Sequence, residues 1–78
     1  MKSFKTLTDM PARCHVRIDG FVPNTAHDLR ERLLAYGLIP GQQVRVLAQK
    51  PVTVVQVEHT ELALEKVLAA CVLVQRSE

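Results

Sequence analysis

The stretch LRERLLAYGLIPG, residues 29–41, carries three structural instructions in succession: end a short amphipathic helix, turn sharply, and begin a strand. Leu29, Leu33 and Tyr36 stand at i, i+4 and i+7, one stripe of a 3.6-residue helix, while Glu31 and Arg32 point elsewhere. Asp28 lies one turn before Arg32, at the spacing of a helical ion pair. Gly37 follows the last periodic residue, where a left-handed position ends a helix and glycine carries no Cβ penalty. Ile39-Pro40-Gly41-Gln42 then places proline at i+1 and glycine at i+2, the type II turn arrangement. Val44-Arg45-Val46 alternates beyond it as a strand. Leu33, Gly37, Pro40 and Gly41 are therefore expected to serve structure.

Upstream, Leu7 and Met10 are expected to cover one end of the core. After Pro11, Ala12, Cys14, Val16 and Ile18 alternate with Arg13, His15, Arg17 and Asp19, the pattern of a half-buried strand with a charged outer face. Asp19-Gly20 is expected to end it. Asn24 or Thr25 can cap the helix, with Thr25 to Asp28 a shortened capping box. Asp28 also suits the positive end of the helix dipole.

Downstream, strand two is expected from about Gln43 to Ala48, followed by the polar link Gln49-Lys50-Pro51. Strand three runs from Val52 to Glu58, its valines shifting phase, so a β-bulge is expected near Val54-Val55. Glu58-His59-Thr60-Glu61 forms a polar tip, and Leu62 to Leu64 return as strand four. Glu65 to Ala70 has room for one helical turn. Cys71 to Val74 closes as strand five, and Gln75 to Glu78 is expected to fray. Five short strands, one inserted helix and no repeat predict a small barrel, whose closure would remove exposed strand edges.

Composition bounds the function. The 78 residues make one domain (1–78), and at this size only about 60–65% of the unfolded surface is buried. Hydrophobic content is 47% but aromatic content only 4%, so Val, Leu, Ile and Ala must build the core. Ten basic against eight acidic residues leave a formal charge of +2, too mild to indicate nucleic-acid binding. Met1 to Thr6 lacks the apolar region of a signal peptide, and no apolar run reaches a bilayer-spanning length, so direct membrane insertion is not expected. Cys14 and Cys71 are far apart with no C-x-x-C spacing, which suits reduced thiols facing or bordering the core of a cytosolic protein.

The pattern R-x-R-L-L-x-x-G-L-x-P-G-x-x-V-x-V, Arg30 to Val46, resembles the signature of the FeoA family. Leu62-Ala63-Leu64 is similar to the family's L-A-L segment, and Ala69-x-x-Val72-x-Val74 to its closing pattern. The resemblance runs from about Leu7 to Val74. It implies a mainly β fold, a small SH3-like five-stranded barrel with one inserted short α-helix and a short helical turn before the last strand. It also implies a non-enzymatic cytoplasmic accessory protein that binds the FeoB ferrous-iron transporter and supports Fe(II) uptake. Three places depart from the family pattern. Pro11 stands where glycine is usual, the link around Lys50-Pro51 is short, and Glu65 replaces a residue that is typically basic.

Catalytic patterns such as G-x-S-x-G, H-E-x-x-H and the P-loop are missing. Cys14 and His15 are neighbours on a strand and face opposite sides, so His15 cannot serve as a base for the thiol. No Cys/His set has structural-zinc spacing, and no cofactor is expected. Two sparser groupings could hold a divalent transition metal weakly: His27 with Glu31 at i, i+4, and Glu58, His59 and Glu61 at the hairpin tip. Solvated polar side chains are the simpler explanation of both. Arg13, Arg17 and Arg45 lie on outward strand positions, while the acids Glu58, Glu61 and Glu65 come late, so opposite charge could steer docking. The expected partner surface is the helix face and its exit, Arg30, Arg32, Ala35 and Leu38.

Three alternatives stand beside the accessory role. One is an adaptor for proline-rich peptides, disfavoured because only Phe4, Phe21 and Tyr36 are aromatic. Another is a regulatory domain like the SH3-like tail of iron-dependent repressors. The third is a weak divalent-metal-binding module. Oligomeric state is open.

Overall fold

The computed structural model describes residues 5–77. Phe4, the leader reading on residues 1–4, and Glu78 lie outside the described residues. Five strands form one antiparallel sheet in the order β4-β3-β2-β1-β5: β1 (Cys14–Phe21), β2 (Gln43–Ala48), β3 (Thr53–Val57), β4 (Thr60–Leu64) and β5 (Val72–Arg76). Helix α1 (His27–Ala35) joins β1 to β2, and the four-residue α2 (Lys66–Ala69) joins β4 to β5. The fold is mainly β with little helix. The ladder does not close on itself, because β4 does not pair with β5. Instead α2 connects them, and Thr6 bridges to Leu73 while Val74 donates to the Lys5 carbonyl at 3.0 Å, covering part of the β5 edge.

The opening stretch folds as three coupled devices. Leu38 donates to the Leu33 carbonyl at 3.0 Å and Gly37 to the Leu34 carbonyl at 3.0 Å, the two bonds of a Schellman motif. Gly37 sits at φ +92. Its two hydrophobic members, Leu33 and Leu38, are both wholly buried. Gln42 then donates to the Ile39 carbonyl at 3.1 Å across a turn with Gly41 at φ +91. Gly41 donates to the Ile18 carbonyl at 2.7 Å and Ile18 to the Gln42 carbonyl at 2.9 Å, stitching the turn to β1.

A Cβ added at Gly41 would meet no atom within 4 Å, so a larger residue is opposed by backbone conformation alone. Gly41→Val should therefore cost about 1–2 kcal/mol, the penalty of a left-handed L-residue. For a domain of this size that is roughly 4–8 °C of Tm per kcal/mol. An unchanged Tm would overturn the turn assignment.

Several sequence expectations are corrected. Tyr36 does not join the buried stripe; the chain turns at Gly37, and Leu38 fills the core in its place. Ala12 is exposed in a turn, and β1 begins at Cys14 and continues through Asp19-Gly20 to Phe21. Asp19 is accommodated as a register shift against β5, where Ile18 opposes Val74 and Gly20 opposes Leu73. The helix N-cap is Ala26 without a side-chain bond, because the Thr25 hydroxyl donates back to the Val22 carbonyl. A reciprocal cap forms earlier, where the Thr6 amide donates to Asp9 Oδ2 at 2.9 Å. Among the described residues Asp28 makes no ion pair with Arg32.

The bulge lies on β2, not β3. Val46 opposes Val55 and Ala48 opposes Val54, leaving Leu47 as the extra residue. Thr53, Val55 and Val57 then alternate into the core without a phase change, and Val52 is exposed. Gln75 and Arg76 do not fray: Arg17 Nη2 donates to Gln75 Oε1 at 3.0 Å, and Ser77 donates to the His15 carbonyl at 2.9 Å.

The polar link after β2 carries an unforeseen role. Gln49 Nε2 donates to the carbonyls of Leu7 at 2.7 Å and Met10 at 2.6 Å, and its Oε1 accepts from Thr53 Oγ1 at 2.7 Å. One amide thus ties the N-terminal turn to β3.

Candidate functional site

Consecutive residues diverge where α1 ends. Leu38 is buried, and Ile39 beside it is 45% exposed, with Tyr36 40% exposed one turn back. The cause is the Schellman turn, which reverses the chain and drives one leucine inward. Its neighbour is left outside.

Across from them the β3–β4 hairpin rises, and a groove of ≈ 440 Å³ lies between. One bank is Ala35, Tyr36, Ile39 and Gln42; the other is Val57, Glu58, Thr60 and Leu62. Gly37 lines it as well; a Cβ there would stand 3.5 Å from Val57 Cγ1, an ordinary contact, so the left-handed backbone rather than lack of space calls for glycine. The lining is largely apolar, with a carboxylate at one end. Such a cleft is suited to holding apolar side chains of a protein segment.

The predicted partner residues do not form one surface. Leu38 is a correction: at 0% exposure it belongs to the core and cannot touch a partner. Arg30 and Arg32 are exposed, but two residues on a helix are about 200° apart. Arg30 lies on the side of Phe21, its guanidinium 6.0 Å from the ring centroid, at the limit of a cation–π contact. Arg32 lies one turn before Ala35 and Tyr36, on the groove's side of the helix. Nothing in the sequence marks Tyr36, Ile39 and Leu62 as neighbours in one groove.

The two metal candidates differ. His27 Nε2 stands 3.7 Å from Glu31 Oε2, a contact between two well-exposed side chains. Glu58 occupies the first position of the hairpin loop at φ +57 and lines the groove, and Glu61 lies on the outer sheet face opposite Gln56. Among the described residues no group of three or more His, Cys, Asp or Glu side chains converges on one point. Cys14 is a buried thiol, and Cys71 a half-buried one whose Sγ donates to the Val67 carbonyl at 3.2 Å.

This geometry, a curled five-stranded antiparallel sheet with a short helix between its first two strands, is that of a small SH3-like domain. A family model described as "FeoA domain" matches residues 5–76, and the chain belongs to the FeoA family. Solved structures agree. The zinc complex of Stenotrophomonas maltophilia FeoA is 30% identical with a TM-score of 0.78, covering 91% of this chain and 89% of that one. It is described as a prokaryotic SH3 domain protein and a candidate activating factor for ferrous iron transport. A FeoA crystal structure described as an iron uptake regulatory protein is 24% identical over 97% of this chain and all of that one, with a TM-score of 0.84. The same fold recurs in T. acidophilum IdeR at 22% identity and a TM-score of 0.85, where 99% of this chain corresponds to 36% of that one. No match is found among curated proteins.

Among the described residues no helix is long and apolar enough to cross a membrane.

Proposed function

We propose that this chain is a non-enzymatic cytoplasmic accessory protein of ferrous iron uptake, docking through its groove onto the cytoplasmic part of a FeoB-type membrane transporter. Family membership supports the transport role. The observation that carries the docking mode is the pair Tyr36 and Ile39, large apolar side chains left outside the core on one bank of an apolar groove. Arg32 and Ala35 extend that bank, whereas Arg30 on the opposite flank is outside it. The metal-ligand pairs have no part in this reading, which makes the iron the transporter's cargo.

Ile39→Glu tests it. The residue is exposed, so the fold should hold within about 0.5 kcal/mol. A carboxylate buried in the interface should weaken co-purification with the transporter at least tenfold and slow uptake of radiolabelled Fe(II) by cells. Arg32→Glu should act in the same direction and Arg30→Glu should not. Normal association and uptake from folded Ile39→Glu would clear the groove.

A further inference from the structure

Strand β4 is one end of the sheet, and hydrogen-bond parity decides which of its backbone groups face outward. Val57 and Thr60 flank the two-residue loop Glu58-His59 and oppose each other, so they exchange the hydrogen bonds that close the hairpin. Alternation along an antiparallel ladder then turns Leu62 and Leu64 toward β3 as well. The rest of the sheet keeps the same parity. The Val46 carbonyl accepts from the Arg13 amide at 2.6 Å and the His15 carbonyl from the Ser77 amide at 2.9 Å. Val44 and Val46 thus face β1, Arg45 and Gln56 bond each other, and Val55 and Val57 face β4. The N–H and C=O groups of Glu61 and Ala63 therefore point out of the sheet. Among the described residues, no backbone group outside the ladder bonds them. An open edge of this kind is a template for another strand.

The side chains around that edge restrict what can pair with it. On the inner face Thr60 and Leu62 line the groove. On the outer face Glu61 ends the cross-strand row His15, Arg45, Gln56, Glu61. Glu58 before β4, Glu61 on it and Glu65 after it are all exposed. A second copy pairing edge to edge would bring the three carboxylates of both chains to one seam, and like charges across a ladder oppose pairing. A basic strand meets complementary charge there instead.

We infer that the outer edge of β4 receives an extended basic segment of a protein partner as a sixth antiparallel strand. The backbone of the segment bonds Glu61 and Ala63. A lysine or arginine of the segment stands opposite Glu61, and the adjacent apolar residue enters the groove beside Leu62. This rests on the docking reading above, since the apolar residue occupies the same groove.

The test uses the full-length transporter in detergent micelles and hydrogen–deuterium exchange resolved to single amides. Binding should slow exchange at Glu61 and Ala63 at least tenfold. Ala63→Pro removes an outward amide without touching the bonds to β3, the setting in which an edge strand tolerates proline. It should weaken association at least tenfold. Glu61→Lys should weaken it too, with the loss shrinking at high salt. Exchange at the two amides that stays at the free rate in the complex overturns the inference. So does undiminished binding by folded Ala63→Pro. If that variant fails to fold, the wild-type amide exchange decides. Loss of binding by Ile39→Glu with Ala63→Pro unaffected would leave groove docking standing and strand addition refuted; no effect from either refutes both. Sedimentation that shows wild-type dimers abolished by Ala63→Pro would make the occupant a second copy and overturn the inference as well.

Discussion

Leu38→Ala should lower the stability of the domain by about 3 kcal/mol, within the range of roughly 2–5 kcal/mol for truncating a buried leucine. The side chain is wholly buried, and the hydrogen bond from the Leu38 backbone amide to the Leu33 carbonyl holds the chain so that neighbours cannot easily collapse into the void. Total stability for a domain this small is of order 5–10 kcal/mol, so the loss is a large part of it. Urea unfolding followed by circular dichroism would measure it, with the midpoint moving and the slope unchanged. A residue that served a partner surface would give almost no change, and that result would reject the core assignment. The contrast with Ile39→Glu is informative, since adjacent positions should separate stability from docking.

Gln49→Ala should be the second severe change, at about 2–3 kcal/mol. It strips hydrogen bonds from the carbonyls of Leu7 and Met10 and from the Thr53 hydroxyl, three groups that are partly withdrawn from water. Groups left unsatisfied in this way cost about 1–3 kcal/mol each, less where water can replace the partner. Thr53 is only 4% exposed, so water reaches it poorly. Thr53→Val keeps the shape and removes the hydroxyl. In the double variant Gln49→Ala/Thr53→Val the hydroxyl is no longer orphaned, and the combined loss should fall short of the sum of the two. Strict additivity, measured by thermal melts of all four proteins, would show that the two side chains do not act together.

The fold was largely legible because its strongest signals are local. Gly37 and the Pro40-Gly41 turn announce themselves through backbone conformations that few residues adopt. The alternation Cys14, Val16, Ile18 shows a half-buried strand without reference to anything distant. Misreadings occurred where a long-range contact overrode a local pattern. Ala12 continues the alternation, yet Arg13 adopts φ +69 and the strand starts after it. The valines of strand three shift phase near Val54-Val55 when read alone, and the extra residue on β2 sets their register. Tyr36 completes the helical stripe, but the reversal at Gly37 hands its place to Leu38.

The site was less legible for a related reason. A groove is made by two segments meeting, here Tyr36 and Ile39 with Val57 and Leu62, and no spacing along the chain encodes that meeting. Arg30 and Arg32 show the same dependence, since neighbours in sequence are carried to different flanks by helical geometry.

By itself, then, the sequence determined the number and kind of elements, the turn that links helix to sheet, and membership of the FeoA family. These follow from periodicity, from glycine at left-handed positions and from a motif read residue by residue. Tertiary structure alone decided which apolar residues the core had room for and which it left outside. It likewise decided that Gln49 would tie the N-terminal turn to β3 and that β4 would keep an open edge. Those outcomes depend on packing volume and on hydrogen-bond parity summed across the whole sheet, and neither quantity exists until the strands are side by side.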